Sequence, residues 1–160
     1  MISHAEAIIA AASPARAFAA AAGCDAPAIF KAQGALPGVA KTEGHEAPWS
    51  APGETRRLTL TDGSSLLEEL AAFAPDREFA YRASGYGGPF GALVAEGRGR
   101  WRFEEISPSE TRIEWRYSFA PSSVFAAPLV WFIVKLLWPG YMRSALARLK
   151  AEAEAPAPAP

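Results

Sequence analysis

Apolar and charged side chains alternate with a period of two along much of the second half of this chain. Between Leu93 and Glu105 the odd positions are Leu93, Ala95, Gly97, Gly99, Trp101 and Phe103, while the even ones include Glu96, Arg98, Arg100, Arg102 and Glu104. After the turn Ser107-Pro108-Ser109 the division returns from Thr111 to Phe119, with Ile113, Trp115, Tyr117 and Phe119 opposed to Arg112, Glu114, Arg116 and Ser118. Successive strand residues point to opposite faces, so both segments predict antiparallel strands with one covered and one wetted face.

The same pattern, less cleanly, starts after Leu36-Pro37-Gly38-Val39. Thr55–Thr61 and the run SSLLEELAAF are separated by Asp62-Gly63, a hairpin signal, and Ala74-Pro75-Asp76 marks the next turn. Glu78–Ser84 then places Phe79, Tyr81 and Ala83 on one face, and the Gly-rich SGYGGPFG forms a connection between strands whose glycines permit movement, a candidate mouth for any cavity. Ahead of this region, Ser3–Ala11 suits a first strand. Ser13 with Pro14 starts a helix over about 14–22 that Gly23 ends, and Asp25, Pro27 and Gly34 bound a second short helix.

Something must cover the apolar sheet face, and Ser122–Ala153 is the segment long and apolar enough to do so. Leu129, Ile133, Leu136, Leu137, Leu146 and Leu149 recur near 3.6-residue spacing, which predicts a long C-terminal helix. Pro139-Gly140 is expected to kink or briefly break it, and the final APAPAP reads as an extended tail.

Composition narrows the picture. The chain's 160 residues, 50% hydrophobic and 21% charged, suit a single domain over 1–153 with a disordered Ala/Pro tail at 154–160. Lys and Arg total 16 against 17 Asp and Glu, so there is no overall field to draw a polyanion, and a nucleic-acid partner is not expected. The single cysteine, Cys24, rules out an internal disulfide framework and multi-cysteine zinc sites, and reads as a small buried hydrophobe. His4 and His45 belong to no metal-ligand spacing, so no metal is expected. The N-terminus has no cationic region before an apolar core, which leads to an expected cytoplasmic location. Val124–Trp138 is apolar but too short to span a bilayer and contains Pro128 and Lys135, so the expectation there is a buried helix, with shallow membrane contact left open.

The stretches IIAAASPARAF (8–18), LPGV (36–39), GETRRLTLTDGS (53–64), Glu69-Leu70 with APDREFAY (74–81), GRWRF (99–103), TRIEWRY (111–117) and GYMRSALARLKAEAE (140–154) occur in an order that resembles the START-like SRPBCC superfamily. The resemblance is to its polyketide cyclase/dehydrase and lipid transport subgroup. It implies an α+β helix-grip fold: a curved seven-stranded antiparallel sheet, two short helices after the first strand, and a long C-terminal helix over a hydrophobic cavity. It further implies a lipid, polyketide-like or aromatic ligand, or else cofactor-independent cyclase, aromatase or dehydratase chemistry.

Within that frame the candidate ligand contacts are Phe79, Tyr81, Trp101, Trp115 and Tyr117, with Ile133 from the helix. Aromatic residues at period two serve equally as core, and the tyrosines are the better ligand contacts because a buried hydroxyl needs a partner. Gly97 and Gly99 open either a space beside these rings or a bend in the strand. In SLLEELAAF, inward Leu66, Leu70 and Ala72 would bring Glu68 with them, whereas inward Leu67, Ala71 and Phe73 would bring Glu69. The inward carboxyl is a candidate general acid or base; the alternative is a rim glutamate paired with Arg57. Arg98, Arg100, Arg102, Arg112 and Arg116 suit cross-strand ion pairing on the wet face, or a surface for an acidic partner or anionic headgroups. An interaction module built on that face, or on residues 124–138, is a third reading; oligomeric state stays open.

Overall fold

The computed structural model describes residues 1–45 and 47–156. Its strands are β1 (Ile2–Ala10), β2 (Val39–Glu43), β3 (Thr55–Leu60), β4 (Ser65–Ala74), β5 (Glu78–Ser84), β6 (Val94–Ser107) and β7 (Glu110–Pro121). They form one antiparallel sheet in the order β1-β7-β6-β5-β4-β3-β2. From β2 to β7 each strand pairs with its sequence neighbour, and β1 joins the far edge with Ile2 opposite Phe119.

Two helices, α1 (Pro14–Ala22) and α2 (Ala26–Ile29), follow β1 as the punctuation predicts. The Ser13 hydroxyl caps α1 by accepting from the Arg16 amide, and Pro14 sits where a missing N–H costs nothing. The second helix is shorter than its expected end at Gly34, which instead takes φ +56° in the turn beyond. Phe18 of α1 fills one end of the sheet, with its ring edge-on to Phe73, Phe79 and Phe103.

Alternation correctly sorts β5, β7 and most of β6: Phe79, Tyr81, Trp101, Phe103, Ile113, Trp115, Tyr117 and Phe119 are all buried. It fails where bulges intervene. The SGYGGPFG run leads into a short helix, α3 (Gly88–Leu93), contrary to a plain strand-to-strand loop. A register shift between Val94 and Glu96 then turns Val94 inward and leaves Ala95 exposed. A second shift, between Leu70 and Ala72, reconciles both readings of β4: Leu66, Glu68 and Leu70 face in before it, and Phe73 meets Phe18 after it.

The C-terminal segment differs most from expectation. Helix α4 (Ala127–Phe132) runs into a π turn at Ile133–Leu137 and then α5 (Trp138–Glu154). Pro139 does not break the helix, because it lies in the first turn of α5. Having no N–H for the carbonyl four residues back, it favours the widened turn immediately upstream. Met142, Ala145, Leu146 and Leu149 of α5 are buried, and α5 packs on β1. In residues 124–136, however, Val130 and Val134 are buried whereas Val124, Phe125, Leu129, Trp131, Phe132 and Leu136 are exposed, so the expected buried helix is half unpartnered. Among the described residues, no helix is long and apolar enough to cross a membrane. Glu154 still belongs to α5, and residues 157–160 of the expected tail lie outside the described residues.

Candidate functional site: an aromatic cavity with one ion pair

The inner sheet face and the C-terminal helix enclose a cavity of about 390 Å³. Period-two alternation brings Phe79 and Tyr81 from β5, Trp101 from β6, and Trp115 and Tyr117 from β7 into its wall, and Ile133 reaches it from the π turn. The rings interlock. Trp101 stacks on Trp115 at 4.9 Å, Trp115 meets Tyr117 edge-on at 6.0 Å, and Trp138 bridges Tyr117 at 5.3 Å and Tyr141 at 4.8 Å. Such contacts add about 0.5–1.5 kcal/mol per pair beyond area burial and hold the wall rigid.

Gly97 and Gly99 take part indirectly. They are not wall residues; each makes room for a phenol that is. A Cβ on Gly99 would come within 2.3 Å of the Tyr81 ring, and one on Gly97 within 2.1 Å of the Tyr86 hydroxyl and 2.9 Å of the Tyr117 ring. The space predicted beside these glycines is thus filled by tyrosines of the same chain. Tyr86 and Tyr117 share a hydroxyl–hydroxyl bond of 3.1 Å. Burial raises the phenol pKa values of Tyr81, Tyr86, Tyr117 and Tyr141, so all four are neutral hydroxyls near neutral pH.

One charged pair enters this apolar wall. Arg56 of β3 lies opposite Glu68 of β4, and its Nε donates to Glu68 Oε2 at 2.7 Å. Both side chains are nearly buried. Burial alone would lower the Arg56 pKa, but Glu68 outweighs it and the net shift is upward. The guanidinium also lies 4.6 Å from the ring centre of Trp49, which stacks on His45. Arg57, the partner anticipated from sequence, is opposite outward Leu67, and Glu69 is exposed on the other face of the sheet. Only Glu68 of the two glutamates can therefore act inside the cavity. Cys24 lines it too, its thiol pKa pushed up by burial to about 11, which keeps it protonated and unreactive near neutral pH.

Sequence reasoning missed Arg56, Trp138 and Tyr141, and it placed Tyr86 at the cavity mouth only as part of its loop, without singling it out. Arg56 is signalled only through cross-strand register with Glu68, and Tyr86 belongs to a loop whose path no periodicity describes. The exposed wall residues Ala35, Asp62 and Pro89 mark the solvent rim on two turns and the first turn of α3. On the outer sheet face four of the five arginines pair locally, Arg98 with Glu96, Arg100 and Arg102 with Glu78, and Arg112 with Glu114, while Arg116 makes no ion pair among the described residues. No group of three or more potential metal-ligating side chains occurs among the described residues.

The sequence matches the family described as polyketide cyclase / dehydrase and lipid transport over residues 1–154. No curated protein matches it. Among solved structures, it is similar to the Zhui aromatase/cyclase from Streptomyces sp. R1128, at 16% identity and TM-score 0.72 over 95% of this chain and 93% of that one. It is also similar to the protein XoxI from Bacillus cereus, at 17% identity and TM-score 0.66 over 94% of each chain. Protein Ms6760 from Mycobacterium smegmatis aligns at 15% identity and TM-score 0.64 over 98% of this chain and 93% of that one. At these identities the likeness is one of fold.

Proposed function

Since the chain belongs to the polyketide cyclase/dehydrase and lipid transport family, we propose that it binds and carries a hydrophobic small molecule between the sheet and the C-terminal helix. The observation that carries this reading is the volume left open: about 390 Å³ inside a wall dominated by aromatic rings, within the range of small-molecule sites. Core packing normally leaves few voids larger than a water molecule, so an apolar space of this size is unusual as mere core. The preferred ligand is apolar with one oxygen function. Arg56 meets Glu68 through Nε, and its terminal nitrogens make no hydrogen bond among the described residues, leaving donors for a carbonyl or carboxylate.

A cyclase or dehydratase reading draws on one observation, the neutral hydroxyls of Tyr86 and Tyr117 that could donate to a substrate carbonyl. Glu68 is a poor base for it because its carboxylate is already engaged by Arg56. Binding is therefore the favoured function, and it requires no cofactor. The test compares native and denatured masses of the purified protein, followed by organic extraction. A co-purified apolar compound, or saturable uptake of hydrophobic fluorescent probes, supports the carrier reading. An empty protein that takes up no such probe overturns it; conversion of the extracted compound on incubation would favour the enzyme.

A further inference from the structure

We propose that residues 124–136 form a docking surface for an anionic membrane. Phe125 is 92% exposed, Val124 78%, Leu136 60% and Trp131 52%, with Leu129 and Phe132 nearly as open. Leu129, Phe132 and Leu136 are spaced three and four apart, so they share one helical face. Val130 and Val134 face the protein instead, and Ile133 and Leu137 border the cavity. The segment thus has two apolar sides, and the structure uses one of them.

Charge selects the occupant. No Asp or Glu occurs from residue 115 to 151. Arg143 pairs with Glu6 and Lys150 with Glu154, so the cation of this face is Lys135, whose Nζ donates to the Ser3 carbonyl and meets no carboxylate among the described residues. Lys135 is the sole charge within 124–138 and lies four residues from Trp131, so an interfacial aromatic ring and a cation flank the same apolar stripe. A second copy packed symmetrically on this face would bring two Lys135 side chains into one apolar interface with no acid in the segment to pair with either. Anionic headgroups supply the missing counter-charge. Docking is independent of what the cavity holds, so an empty protein is an equally good subject.

Flotation with vesicles of equimolar phosphatidylcholine and phosphatidylglycerol tests this, against phosphatidylcholine alone. The protein is expected to float with the anionic vesicles, less so in high salt, and its tryptophan emission to shift blue because Trp131 is exposed while Trp49, Trp101 and Trp115 are buried. Phe125→Ser combined with Phe132→Ser is expected to lower the bound fraction about tenfold with an unchanged circular dichroism spectrum. Phe125→Ser alone, at a nearly fully exposed side chain, carries the comparison if the double variant loosens the fold. Absence of flotation, or binding indifferent to these substitutions, overturns the proposal. So does a dimer in sedimentation that the same substitutions dissociate, which would assign the face to a second copy.

Discussion

The Arg56 guanidinium and the Glu68 carboxylate, held 2.7 Å apart across β3 and β4, form a nearly buried ion pair in the wall of an otherwise apolar cavity. Removing one partner leaves the other as an uncompensated charge. Glu68→Gln is therefore expected to cost about 3–5 kcal/mol in urea denaturation, whereas replacing both with Arg56→Met and Glu68→Leu recovers most of that loss. The double variant should still take up fully apolar probes and discriminate against those bearing a carbonyl or carboxylate. Equal stability of Glu68→Gln and the parent would mean that the pair is solvated.

Gly99 and Tyr81 make a second such dependence. Because a Cβ there would lie 2.3 Å from the ring, Gly99→Ala must push the phenol aside, with an expected destabilisation of about 1–3 kcal/mol. Gly97→Val displaces the Tyr117 ring, and lower probe uptake with retained folding is the expected readout. Unchanged uptake in both Gly97→Val and Tyr117→Ala would count against the cavity as the binding site.

Thr111 is fully buried, and its hydroxyl donates to the Ala12 carbonyl at 2.9 Å, tying β7 to the link between β1 and α1. Thr111→Val keeps the shape and strands that carbonyl. Thermal or urea unfolding should show a loss of about 1–3 kcal/mol, and Thr111→Ser should retain more stability than a cavity of one methyl alone would remove.

Alkaline pH should weaken the fold. Burial moves the Cys24 thiol from 9.0 up to about 11 and raises the phenols of Tyr81 and Tyr117 in the same direction. The folded protein holds these protons longer than the unfolded chain does. The Cys24 contribution, about 2–3 kcal/mol, is complete below pH 9 and is lost as pH rises through 11, and the raised phenols add a further loss that begins above their ordinary value of 10. Urea midpoints followed from pH 8 upward should fall less steeply in Cys24→Ala. Iodoacetamide should label Cys24 at neutral pH far more slowly than it labels the unfolded chain.

The sheet was legible in the sequence because alternation records which face each strand buries, and Phe79, Tyr81, Trp115 and Tyr117 all lie where it put them. The position of Glu68 was not. A strand that changes face at a bulge satisfies both candidate registers in turn, and only the pairing of Arg56 with Glu68 decides which carboxylate is inside. The C-terminal helix was misread for a different reason: residues 129–137 are apolar on nearly every side, so spacing alone did not distinguish buried Val130 and Val134 from exposed Leu129 and Leu136. The π turn adds a residue to one turn and shifts the phase again. Tyr86 lies just before the short helix α3, and the cavity rim stands on turns and on that helix, where no repeat is long enough to be read.

Pairing of Ile2 with Phe119 sets an order of assembly. During synthesis the hairpins β2–β3 to β6–β7 can form as each emerges, since every partner is the next strand in the chain. The first strand made has no partner until β7 is complete, and α5, which packs on it, arrives later still. Closure of the chamber thus waits for both β7 and α5, and a ribosome-bound chain stopped after β7 would present its aromatic wall without a roof.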